Sequence, residues 1–178
     1  SRDLRRPPEE VRGERGQSCK KLLQTVYHLL LICGKLERKG GVRMLNTTET
    51  DAFWGKRLML RQIYQDFATK LEKAFPTAEV DVQKNQILFL QDERAFCYVW
   101  RPIRKVRCTP QQYIIVSFAL GKPLESKRLL KPSDPTKKWY IHHVLVASDK
   151  DVDEELLDWL QAAQRFTSIN AKKKKKPR

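Results

Sequence analysis

Residues 140–166, YIHHVLVASDKDVDEELLDWLQAAQRF, constrain this chain more than any other stretch. Tyr140 to Val146 is rich in β-branched and aromatic types and is apolar at both pleat parities except for His142 and His143. Such a run predicts a strand covered on both sides, hence an interior strand of a sheet. Ser148 is placed to cap a following helix, and Asp151, Asp153, Glu154 and Glu155 lie where the helix dipole favours negative charge. Leu156, Trp159, Leu160 and Ala163 recur at three- and four-residue spacing, one apolar stripe on a helix expected to end between Phe166 and Asn170.

The rest of the patterned region agrees with this ending. Phe53, Leu60, Ile63, Tyr64, Phe67, Leu71 and Phe75 mark one face of a single long helix stopped by Pro76. Thr77 to Val82 alternates weakly. Gln86–Leu90 and Ala95–Trp100 read as strands joined by a hairpin turn at Gln91–Arg94. Tyr113–Leu120 is a further strand. Gly121–Lys138 reads as a loop broken by three prolines, with room for a short strand at Lys127–Leu130. The connections between strands are too short for parallel crossovers. The expected fold is therefore α+β: a mainly antiparallel sheet of four to five strands, packed by an N-terminal and a C-terminal helix.

The net charge of +15 suggests a nucleic-acid binder until it is localised. Residues 1–43 hold 11 basic and 5 acidic side chains, and 171–178 hold 6 basic and none acidic, so 12 of the 15 net charges lie at the two ends. Three segments result: a basic extension at 1–43, a globular domain at 44–170, and a poly-Lys tail at 171–178 expected to be disordered. The extension has no sustained period over its first 19 residues. Lys39-Gly40-Gly41 precedes Met44 at a spacing that a bacterial ribosome-binding site would give, so Met44 is the expected start and 1–43 reads as upstream read-through. The alternative is a genuine basic extension carrying one short helix. Its apolar run Leu22–Cys33 is shorter than the roughly 20 residues a bilayer span needs, so no membrane partner is expected.

Residues 52–167 resemble the bacterial domain-of-unknown-function family 5655. The matching features are the opening aromatic helix, the Ile87–Leu90 strand, Phe96-Cys97-Tyr98-Val99, and the Tyr113–Leu120 strand. Above all they are His142-His143-Val144 and the later Asp151-Val152-Asp153-Glu154-Glu155-Leu156-Leu157. The resemblance implies a domain but carries over no reaction and no catalytic residue.

Chemistry must then be sought in the residues themselves. His142 and His143 are adjacent in a strand, so their side chains take opposite faces and cannot share one ion. The four cysteines show no paired ligand spacing, and no metal or cofactor is expected. Cys97 reads as a small buried residue of a reducing cytosol. Glu125-Ser126-Lys127 has the form of a nuclease triplet, but no suitably placed Asp precedes it on a strand. No nucleophile elbow, P-loop or dinucleotide glycine pattern occurs.

The basic clusters are the better lead. Arg101, Arg104, Lys105 and Arg107 lie in one strand connection, and Lys122, Lys127, Arg128, Lys131, Lys137 and Lys138 in another. Tyr98 and Trp100 precede the first cluster, and Trp139 and Tyr140 follow the second. Cations with flanking aromatics suit phosphate contact and base stacking. The expected role is a non-enzymatic module of the bacterial cytosol that binds an anionic partner, nucleic acid first. His142 and His143 each read first as a hydrogen-bonded structural histidine, and both are also included among the module's candidate contacts. The alternatives are an enzyme with its site at the histidine pair and a protein-interaction module.

Overall fold

The computed structural model describes residues 48–102, 109–130 and 139–174, with side chains through 169. All of them lie in one unit, Glu37–Arg178. The expected opening helix is two helices, α1 (Thr48–Trp54) and α2 (Leu58–Ala74). The break is Gly55, whose φ of +55° is open to glycine at little cost and strained for other residues. Its N–H still reaches the Asp51 carbonyl at 3.0 Å, closing α1. Phe53 and Leu60 stand seven residues apart, so both meet the core across the break, and the apolar spacing conceals it. After Ala74 the Phe75 N–H bonds the Leu71 carbonyl at 2.7 Å, and Pro76 then prevents further helix.

Six strands follow: β1 (Glu79–Val82), β2 (Gln86–Gln91), β3 (Arg94–Trp100), β4 (Ile114–Leu120), β5 (Leu129–Leu130) and β6 (Tyr140–Val146). They form one sheet in the order β1-β2-β3-β4-β6-β5, every neighbouring pair antiparallel. The expected four to five strands are thus six. The short strand left open within 127–130 is real but only two residues long, too brief for any alternation. The turn expected at 91–94 is a two-residue hairpin with Asp92 and Glu93 both at positive φ, the backbone twist that suits flanking strands. Next to it Phe89 pairs Cys97 while Leu90 pairs Ala95, leaving Phe96 as an extra residue in β3. The bulge turns Phe96 into the core, where it meets Phe75 at 5.0 Å.

One sheet face carries Phe89, Val99, Val116, Phe118 and Val144, all buried in a single core with Tyr64, Phe67 and Leu71 of α2. The closing helix α3 (Glu154–Lys174) adds Leu156, Leu160 and Ala163 to that core. Full burial of such side chains stabilises by about 1.5–3 kcal/mol each. Trp159, in the same stripe, is only partly buried at its margin. The opposite sheet face carries Leu88, Trp100, Ile115, Ser117 and His143, which are also buried. β6 is therefore an interior strand covered on both faces, as its composition predicts.

Ser148 does not cap α3. It starts a 3₁₀ turn, Asp149–Asp151, in which the Asp151 carboxylate accepts the Ala147 and Ser148 N–H groups at 2.9 Å each. The α-helix is capped by Asp153, which accepts the Leu156 N–H at 3.0 Å. Lys70 of α2 donates to the Asp149 and Val152 carbonyls, tying the two helices' ends together. α3 runs to Lys174, past its expected end and into the segment read as disordered tail. Lysine is a good helix former, and cations at a helix C-terminus complement its dipole. No described helix is long and apolar enough to cross a membrane.

Candidate functional site

The register of β4 and β6 decides what the two histidines can do. His142 pairs Phe118 and His143 pairs Ser117, so the two imidazoles lie on opposite faces of the sheet. His142 takes the helix face, its ring 5.6 Å from that of Phe118. Its Nε2 lies 3.3 Å from the Lys122 carbonyl, and its Nδ1 is buried without a partner. Burial lowers its pKa, against the pull of that carbonyl. On the other face, His143 Nδ1 lies 2.7 Å from Ser117 Oγ, and its Nε2 is buried without a partner. Burial first, and the neighbouring His142 second, push the His143 pKa down to about 4.

A serine beside a histidine invites a nucleophilic reading, and the geometry opposes it. No carboxylate bonds the free nitrogen of His143, so nothing would orient or stabilise an imidazolium. A base with a pKa near 4 accepts protons poorly at neutral pH. Both histidines are at most 1% exposed, so neither meets solvent or a polyanion. The expectation that they contact an anionic ligand is corrected: they are core residues. Among the described residues, no three His, Cys, Asp or Glu side chains are grouped so that they could hold a metal ion.

The basic residues divide into three sets. Arg101 is bound internally: its guanidinium donates to the Phe53 and Lys84 carbonyls at 3.0 Å each and lies 4.3 Å over the Phe53 ring. Burial and the nearby Arg57 lower its pKa. Arg128 is likewise committed. One of its nitrogens donates to both Asp153 oxygens, at 2.8 and 2.7 Å, and to Glu155 at 3.0 Å; another reaches the Asp151 carbonyl at 2.6 Å. Partial burial lowers the Arg128 pKa, but the bonds to Asp153 and Glu155 outweigh it and the net shift is upward. For Asp153 partial burial acts upward, Arg128 outweighs it, and the carboxyl is held below its usual range. Arg101 and Arg128 are therefore engaged in holding the fold. Lys127 is exposed, as is Lys122. Arg104, Lys105, Arg107, Lys131, Lys137 and Lys138 lie outside the described residues.

The strands also fix where the two basic connections attach. β3 ends beside the start of β4, with Trp100 paired to Ile115. The second connection lies at the far end of β4, where Leu120 pairs Tyr140. The attachment points are thus separated by a seven-residue strand, about 20 Å. The sheet does not bring the two clusters together at their roots.

Residues 49–167 match a family model described as a domain of unknown function, DUF5655. The chain belongs to this family. No curated protein and no solved structure matches it. The DUF5655 match begins inside α1 and ends inside α3. It therefore takes in the buried Ser117–His143 pair, the Arg128 latch and both basic connections. Residues 1–48 and the lysine run fall outside it. Ser117 had no signal in the sequence, because only strand register pairs it with a histidine 26 positions away. Asp153 and Glu155 read as a solvated helix start, and their common partner Arg128 lies 25 and 27 residues earlier.

Proposed function

We propose that this DUF5655 domain is a non-enzymatic binding module for an anionic partner, nucleic acid first, acting in a bacterial cytosol. One contrast carries the reading. Among the described residues, both histidines, the cysteine Cys97 and the serine paired with His143, Ser117, are buried, while Lys122 and Lys127 are exposed. Burial also pushes the Cys97 thiol pKa up, away from the reactive thiolate. The segment bearing Lys122 and Lys127 is held firmly. It leaves β4, is tied to α3 through Arg128, and enters the sheet again at β5. Lysines on a fixed support meet phosphates with little additional ordering. The other cations of this connection, Lys131, Lys137 and Lys138, and those of the first, Arg104, Lys105 and Arg107, belong to the same reading by sequence. A free buried thiol suits a reducing compartment.

The test is binding of a labelled single-stranded oligonucleotide across a salt series. Lys122→Glu with Lys127→Glu, and separately Arg104→Glu with Lys105→Glu, should each weaken binding. Each pair should also lower the slope of log affinity against log salt by about 1.4, two contacts' worth. Unchanged affinity and slope in both double variants would return the domain to the protein-partner or enzyme readings.

A further inference from the structure

Of the aromatics that flank the basic clusters, the structure leaves one displayed. Trp100 is 2% exposed, and Tyr98 and Tyr140 are partly buried within strands. Trp139 is 41% exposed. The other two tryptophans are also engaged: Trp54 is fully buried, and Trp159 lies 6.0 Å from the Phe118 ring beneath Arg128. Trp139 stands one residue before β6, at the end of the sheet where Leu120 pairs Tyr140. Lys122, exposed, leaves β4 at that same end. Lys137 and Lys138 immediately precede Trp139 in the chain.

At this end of the sheet the exit of β4 is closely packed. A Cβ on Gly121 would stand 2.8 Å from the Phe166 ring, so β4 leaves the sheet pressed against α3. The Lys122 carbonyl is held by His142 Nε2 at 3.3 Å. An exposed indole at the end of the sheet where Lys122 leaves β4, and next in sequence to Lys137 and Lys138, is costly in water and suited to a flat apolar ligand that carries negative charge.

We infer that Trp139 is a stacking platform for an unpaired base, so that the partner is single-stranded nucleic acid rather than duplex. The inference rests on the anionic-partner reading and narrows it. In a duplex the base faces are covered by their neighbours. In a single strand each base has a free face for the indole, while the lysines follow the phosphates. Stacking reads no hydrogen-bonding edge, so binding should be tolerant of sequence.

The experiment compares the full chain with Trp139→Ala, Trp139→Phe and Lys122→Glu/Lys127→Glu. The probes are an oligo-dT strand and a duplex of equal length. Thermal unfolding of every variant checks the fold; an exposed indole should leave the midpoint unchanged. Trp139→Ala should weaken oligo-dT binding about 5- to 150-fold without altering the salt slope, because no phosphate contact is lost. Trp139→Phe should retain most of the affinity, and the duplex should bind more weakly and ignore both changes. Oligo-dT should also quench the tryptophan emission of the unmodified chain. If Trp139→Ala binds oligo-dT as the parent does while Lys122→Glu/Lys127→Glu weakens it, the stacking inference falls and the anionic reading stands. If the parent binds neither probe, both fall.

Discussion

His143 is neutral in the fold because a charge there would be buried with one nitrogen already engaged by Ser117 and the other facing no partner. This has a defined pH consequence. The unfolded imidazole takes a proton near 6.5, the folded one near 4. Between those values the unfolded state holds more protons, so stability is full above pH 6.5 and is lost as pH falls toward 4. The loss should approach about 3 kcal/mol, at no more than about 1.4 kcal/mol per pH unit. His142, also shifted down, adds in the same direction. Urea titrations at pH 7, 5.5 and 4.5 should show the decline, and His143→Gln should flatten it. An equally steep decline in that variant would place the cause elsewhere, although not in Asp153, whose lowered pKa acts below this window. At this scale the sequence is legible where alternation alone decides, as in the opposite faces of His142 and His143. It is silent where register decides. Neither Ser117 beside His143 nor Arg128 between Asp153 and Glu155 follows from any local pattern, so Arg128 reads as a cation for a ligand although it is paired within the fold, and the structural reading of the histidines comes without their partners.

Elements show the same division. The strands β2, β3, β4 and β6 are strong because each is an apolar run buried on both faces, and α2 because it buries a helical apolar face, and these are plain in the sequence. The interruption at Gly55 is not, since a glycine within an apolar period reads equally as tolerated helix or as its end. The test is Gly55→Ala. Space is available, the nearest atom to the added Cβ being the Ala52 carbonyl oxygen at 3.9 Å. The cost is purely the left-handed backbone, about 1–2 kcal/mol. Chemical denaturation should show that loss. A gain in stability would mean that α1 and α2 can fuse into the single helix that the spacing suggests. The length of α3 misleads for a related reason. Its apolar stripe fades after Phe166, yet lysines extend the helix on propensity and dipole without any stripe at all.

For the molecule as a whole, charge and fold are separable. The family match covers residues 49–167, and six of the net charges belong to residues 171–178 beyond it. Deleting 171–178 should flatten the salt dependence of oligonucleotide binding but leave binding measurable through the domain. Complete loss at about physiological salt would make the domain's lysines solubilising only. The strand order has a consequence for how this chain reaches its native state. β1 to β4 form a meander whose neighbours in space are neighbours in sequence, and it can zip up locally. β5 cannot join it: among the described strands its partner is β6, which is made 10 residues later and must first dock on β4. Among the described strand pairs, β5 with β6 is therefore the last to be made on folding. In native-state hydrogen exchange, the amides of Leu129 and Leu130 should exchange well ahead of those in β3 and β4. A ligand held by Lys122 and Lys127 binds the segment that leads into β5, so bound nucleic acid should slow exchange at Leu129 and Leu130 while leaving β2 and β3 unaltered.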